Sequence, residues 1–284
     1  MPSELIPKEV FSEGAPELGP VLGAVARDAL ALNSAFSEIL KYSLLRRDPN
    51  AGTVEIHRLV QAVLKEGMDE VTERLWAERA VRAVNRAFPF PEFSTWADCE
   101  RLLPEAHTCA ELVIQWDFEF PEAADLLNRA GFYLNERGRY TDAEPLYTRA
   151  LAIQEKALGP DHPDVAESLD NLARLCYTQG QYEKAELLSQ RALTIREKAL
   201  GPEHPDVAES LDNLARFYDD QDQYAKAEPL YQRALAIREK ALSSEHPDVA
   251  TSLENYASLL RNMGWLEEAA PLENRAKAIR AKSA

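Results

Sequence analysis

One thirteen-residue phrase, HPDVAESLDNLAR, stands at residues 162–174 and again at 204–216. The copies extend upstream, so that segments 155–174 and 197–216 differ at one position in 20, Asp161 against Glu203. The offset of 42 residues continues in both directions. Gly138, Gly180, Asp222 and Gly264 form one series; Ala143, Ala185, Ala227 and Ala269 form another. Ala150, Ala192, Ala234 and Ala276 keep step, as do Gly131, Ala173, Ala215 and Ala257. A period of this length implies stacked supersecondary units, each burying its apolar face against its neighbours. The array covers residues 124–284, which is four units.

Each unit reads as two helices. Pro163 suits a first helical turn, where its missing N–H costs nothing. Val165, Leu169, Leu172, Ala173 and Cys176 then recur at helical spacing. TQG at 178–180 stops the helix, with Gly180 available for a left-handed cap; Asp222 takes that place in the next unit. The second helix carries Ala185, Leu188, Ala192, Ile195 and Ala199 on its apolar side. Pro145, Pro229 and Pro271 are expected in the first turns of their second helices. The small residues of the series mark where neighbouring helices approach to about 8–10 Å.

This pattern resembles tetratricopeptide repeats, and the HPDVA and LDNLA segments make it similar to the 42-residue repeats of kinesin light chains and many bacterial repeat proteins. The resemblance implies an all-α fold, a right-handed α-solenoid whose first helices line a concave groove for a peptide or protein. The more polar last helix, LEEAAPLENRAKAIRAKSA, would cap it. In such repeats a polar stripe of the first helix faces the groove, and its asparagine holds the ligand backbone. Here that stripe comprises Glu167, Asp170, Asn171 and Arg174, then Glu209, Asp212, Asn213 and Arg216, then Thr251, Glu254, Asn255 and Ser258. An asparagine amide offers a donor and an acceptor, so it can grip an extended chain without reading side chains. The alternative is a solvated helix face with Asp170 and Arg174 paired at i,i+4. Kinesin light chains usually carry LNNLA; the acidic residue of LDNLA makes this stripe less positive and puts acidic, tryptophan-bearing ligands in doubt. The first unit departs further, with Arg129 and Phe132 at its groove positions.

His162, His204 and His246 suggest a metal site only until distances are considered. Ligands must lie about 2 Å from one ion, whereas equivalent residues of consecutive repeats stand about 8–10 Å apart. No metal is expected, and the histidines read as helix-start residues. The same distances remove an acid–base site shared between repeated carboxylates.

Net charge is −16. Residues 121–284 hold 28 acidic and 20 basic side chains, and the other 120 residues hold 20 and 12, so each part carries −8. Such a surface repels phosphate backbones, and no nucleic-acid partner is expected. No apolar run approaches the roughly 20 residues of a membrane helix, and no signal peptide is visible at the start. Cys99, Cys109 and Cys176 are scattered, which fits reduced thiols and a cytoplasmic location.

The first 120 residues do not repeat. Residues 32–68 read as helix, strand, DPNAG turn, strand, helix, which suggests a winged-helix-like unit with one β-hairpin over residues 1–70. The only basic cluster there, Arg46 and Arg47, is too small to favour DNA. YSLLRRD followed by IHRLVQAVL resembles the winged helix that follows the nucleotide-binding core of STAND-class regulators of the NB-ARC type. In that family a helix-start histidine contacts the nucleotide phosphate, which would make His57 nucleotide-sensor-like. An ordinary capping histidine is the alternative. Residues 71–123 read as a helical connector. None of the eleven glycines falls in GxxxxGK[ST], so a nucleotide-binding core would have to be supplied in cis or in trans, and no cofactor is expected on this chain.

Three functions follow. The chain is the sensor and autoinhibitory portion of a STAND signalling ATPase, or a free-standing scaffold or cargo adaptor. An enzyme is not expected, because no nucleophile–base set stands out.

Overall fold

The computed structural model describes residues 5–48 and 52–283. The chain divides into two compact units, Met1–Ala157 and Leu158–Ala284. Compactness therefore groups the first repeat with the N-terminal region, whereas the sequence modules break after residues 70 and 123.

The second unit is an α-solenoid of three helical hairpins: α9 (Pro163–Thr178) with α10 (Tyr182–Leu200), α11 (Pro205–Asp219) with α12 (Tyr224–Ala241), and α13 (Pro247–Asn262) with α14 (Leu266–Ser283). Each first helix begins on a histidine cap. The Nδ1 atoms of His162, His204 and His246 accept from the N–H groups of Asp164, Asp206 and Asp248 at 3.3, 3.2 and 3.2 Å. Proline follows at the first helical position in all three. Gly180, Asp222 and Gly264 turn each hairpin with φ of 77°, 59° and 83°. Left-handed backbone thus recurs at one register, and Asp222 bears it as a non-glycine residue.

Val165, Leu169 and Ala173 of α9 are fully buried, and so are Val207, Leu211 and Ala215 of α11. The alanines at 185, 192, 227 and 234 are buried too, which lets the second helices approach closely. An ion pair closes each unit: Lys198 meets Asp161, Lys240 meets Glu203 at 2.8 Å, and Lys282 meets Glu245. The single difference between the two 20-residue copies, Asp161 against Glu203, keeps the carboxylate that this lysine needs. Pro229 and Pro271 differ from expectation. Their helices start at Tyr224 and Leu266, so both prolines occupy the second turn, as Pro145 does in α8 (Tyr140–Leu158). All three are exposed, so water can reach the carbonyl that loses its helical partner.

The first unit starts with a small sheet. Strand β1 (Leu5–Pro7) pairs antiparallel with β3 (Thr53–Ile56), which pairs antiparallel with β2 (Leu45–Asp48). The sheet is three-stranded where the sequence suggested one hairpin. Leu5–Pro7 is too short and too proline-rich to read as a strand by alternation. Of the DPNAG turn, residues 49–51 lie outside the described residues. Helices α1 (Lys8–Ser12), α2 (Gly19–Ala26) and α3 (Ala29–Leu40) precede the hairpin, and α4 (Arg58–Glu66) follows it. Leu32, Phe36, Leu45 and Val54 form a core beneath them. Helices α5 (Glu70–Ala87), α6 (Trp96–Gln115) and α7 (Pro121–Glu136) pack on one another, and α7 lies against α8. A Cβ at Gly131 would stand 3.1 Å from the Tyr147 ring, a tight contact that the ring would have to yield to, so glycine eases that crossing.

Candidate functional site

The polar stripe of the second unit lies on α9, α11 and α13. Asn171, Asn213 and Asn255 are half-buried at one register of the three helices. Glu167, Glu209, Arg216, Glu254 and Ser258 are exposed around them, and Arg174 is half-buried. The Arg174 guanidinium donates to Asn171 Oδ1 at 3.4 Å, which leaves the amide N–H₂ to other acceptors.

Two members of the stripe are architectural. Asp170 Oδ2 accepts from Arg196 of α10, and Arg196 also reaches Ser210 of the next repeat. Asp212 repeats this with Arg238 and Ser252. Ser210 and Ser252 close each triangle by donating to those carboxylates at 3.4 and 3.5 Å. Asp170 and Asp212 were expected to face a ligand. They face inward, because a buried arginine requires a carboxylate within reach. The ion pair of Asp170 with Arg196 runs to the second helix of its own repeat. Burial pushes the Asp170 carboxyl up to about 6, against the pull of Arg196. Asp212 shifts upward for the same reason. The last copy is looser: Glu254 accepts from Arg280 at 3.1 Å, both side chains exposed.

Arg129 and Phe132 belong to the first unit. Arg129, expected to reach a ligand, instead donates to the carbonyls of Phe88 and Asn85, where α5 ends, and to Asp125 at 2.8 Å. Its guanidinium satisfies carbonyls that the helix end leaves open. Phe132 is half-buried and packs against Phe90 with ring centroids 6.0 Å apart.

His57 caps α4 as the repeat histidines cap theirs, its Nδ1 accepting from Leu59 N–H at 3.3 Å. With Nδ1 accepting, the neutral ring carries its proton on Nε2. The residue lines a cleft of about 950 Å³ together with Arg46, Arg47, Arg58, Glu55 and Leu45. Helix α4 buries no residue, and Leu59 and Val63 are 70% and 67% exposed. Among the described residues no three His, Cys, Asp or Glu side chains gather as a metal site. No described helix is long and apolar enough to cross a membrane.

Sequence reasoning missed Arg196, Arg238, Ser210 and Ser252. A signal was present: arginine follows isoleucine at 195–196, 237–238 and 279–280, in step with the period, and the first two of these arginines are buried.

Tetratricopeptide-repeat models match residues 122–198, 188–240 and 206–282, which together span more than half of the chain. A domain of unknown function, DUF7779, matches residues 2–73. A nucleotide-binding leucine-rich repeat (NLR)-like protein of Hyaloscypha variabilis is 32% identical over 144 residues, 48% of this chain and 14% of that protein. The chain thus aligns with a small part of that relative's length. BtubC (BKLC) from P. vanneervenii has a similar structure, with TM-score 0.60 at 19% identity over 78% of this chain and 86% of that one. A Podospora anserina protein described as a kinesin light chain with nearly identical TPR-like repeats aligns with TM-score 0.57 at 25% identity, covering 76% of this chain and 99% of its own.

Proposed function

The chain belongs to the tetratricopeptide-repeat family, and from that premise we propose that it is a protein-binding sensor for a STAND-type signalling ATPase. Tetratricopeptide repeats act as protein-interaction scaffolds, and no catalytic role is assigned to this one. Asn171, Asn213 and Asn255 hold the backbone of an extended segment of a partner protein, with Arg174 and Arg216 beside them to meet its carboxylates. Asp170 and Asp212 keep these helices in register from behind. The observation that carries the reading is the asparagine ladder, half-buried at one register of three stacked helices.

The coupling to a nucleotide-binding core rests on the first unit. Residues 1–70 act as a winged helix, 71–123 connect, and 124–284 sense. The exposed Leu59 and Val63 of α4 dock on a P-loop core held in cis or in trans, and His57 Nε2–H with the neighbouring arginines meets the phosphate of its nucleotide. The NLR-like relative supports this coupling. A cytoplasmic location fits it.

Pull-down of the full chain followed by mass spectrometry tests the proposal. A protein trigger and a P-loop ATPase should both be captured. Asn171→Ala with Asn213→Ala should lose the trigger and keep the ATPase; Leu59→Asp with Val63→Asp should do the reverse. Capture of a trigger with no ATPase, unaffected by the α4 variant, favours the second reading, a free-standing scaffold or cargo adaptor.

A further inference from the structure

The loop between α5 and α6 displays two phenylalanines to water. Phe93 is 85% exposed and Phe90 is 59% exposed. A loop that needed only to connect two helices would gain nothing from these rings, because exposed aromatic surface is unfavourable in water.

The loop is also held in shape. Thr95 Oγ1 accepts from Glu92 N–H at 2.9 Å and lies 2.7 Å from the Phe90 carbonyl, to which it donates. The Glu92 side chain accepts in turn from the Thr95 N–H, which completes a reciprocal cap. Pro89 and Pro91 restrict the backbone on either side of Phe90, and Pro91 is buried. Arg129 fixes the Phe88 carbonyl where the loop leaves α5. Phe90 rests on Phe132 of α7, and Phe93 meets Trp96 edge-on at 5.3 Å. Four rings therefore stand in fixed places on one stretch of surface. Rigid aromatic anchors of this kind lose little entropy on binding.

Charge identifies what would cover them. Glu92 lies between the two phenylalanines, Glu136 is one turn beyond Phe132, and Glu13 lines the same cleft as Phe90. All three are exposed. Glu13 and Glu136 have no side-chain partner among the described residues, whereas the nearby cations are engaged. Arg86 pairs with Glu17 at 3.3 Å, Arg129 with Asp125, and Arg137 lies over Trp96 at 5.1 Å. Arg137 on Trp96 also demonstrates that a ring of this cluster accepts a guanidinium on its face. The rings of Phe90 and Phe93 carry no such cation among the described residues. Aromatic faces rimmed by carboxylates attract cations.

We propose that residues 89–96, with Phe132, form a docking surface for a basic, arginine-bearing segment of a partner protein, separate from the asparagine stripe. Guanidinium groups would stack on Phe90 and Phe93 and pair with Glu13 and Glu136.

Fluorescence anisotropy on the full chain tests this with a fluorescein-labelled (Arg-Gly-Pro)4 peptide, and with (Glu-Gly-Pro)4 as the control. Phe90 and Phe93 are exposed, so alanine variants should fold, and unchanged circular dichroism checks that. At about 0.15 M salt, where long-range attraction is screened, the arginine peptide should bind and the glutamate peptide should not. Phe90→Ala with Phe93→Ala should weaken binding by about five- to thirtyfold, the range of two exposed cation–aromatic contacts. Glu136→Lys should weaken it as well, and Asn171→Ala should leave it unchanged, which separates this surface from the stripe. Equal binding by the phenylalanine variant would overturn the proposal, since general attraction to an acidic surface would then explain it. Absence of binding would overturn it too, as would self-association of the chain abolished by Phe93→Ala, which would make a second copy the occupant.

Discussion

Asp170 and Arg196 illustrate how one residue's role depends on what the fold places opposite it. Two buried charges attract one another, but both lose water, and the loss is comparable in size. Removing one partner leaves the other charge uncompensated, so Asp170→Leu should destabilise the chain by about 3–5 kcal/mol in urea unfolding. Asp170→Leu with Arg196→Met should recover most of that, because it removes both desolvation costs. Near-additive losses from the two single changes would show that the pair is not coupled. The same burial sets a pH dependence. The folded carboxyl, raised to about 6 from 3.8, binds its proton more tightly than the unfolded one. Its contribution therefore favours the fold below about pH 4 and is lost as pH rises through about 6. Wild type should lose stability relative to the Asp170→Leu, Arg196→Met variant between pH 4 and 6; parallel curves would refute this. Gly180 carries a backbone reason instead, with φ of 77° and no neighbour near its Cβ position. Gly180→Ala should cost about 1–2 kcal/mol from strain alone, read as a lower urea midpoint.

At the scale of elements, the sequence repeat located the helices because each signal was local. The proline after each histidine, the left-handed residue of each hairpin and the buried alanines depend on near neighbours in the chain. The prolines of the second helices were placed wrongly, because a proline is tolerable in a second turn when the freed carbonyl faces water. Strand β1 was invisible, since three residues ending in proline make no pattern until β3 pairs with them. At the site, the asparagine register was legible from the period, but the inward turn of Asp170 was not. Which of two adjacent polar residues faces a buried arginine depends on a helix 26 positions away. Arg129 misled for the same reason, the carbonyls it reaches lying more than 40 positions upstream. Helix α4 gives an element-scale prediction. It buries none of its side chains, so Val63→Asp should change stability by no more than about 0.5 kcal/mol. A large loss of thermal stability would mean that α4 is covered within this chain.

For the whole molecule, the account joins a helical array that keeps its register through buried ion pairs to an N-terminal unit that leaves apolar side chains uncovered. Among the described residues, twelve of the 19 exposed large hydrophobic ones fall at or before residue 75, within or next to the matched domain of unknown function. That uneven distribution suits a unit built to lie against another protein surface. The array has its own exposed surface, where polar side chains rather than apolar ones recur. The two surfaces share no residue, and their mutations should add without coupling. The central claim is that the asparagine ladder holds a partner's backbone. Its most direct measurement is the affinity of the captured protein trigger for the full chain, wild type against Asn171→Ala with Asn213→Ala. The account predicts a loss of at least about tenfold, the equivalent of two lost hydrogen bonds, with helicity and melting temperature unchanged. Unchanged affinity would contradict it and place the ligand elsewhere on the molecule.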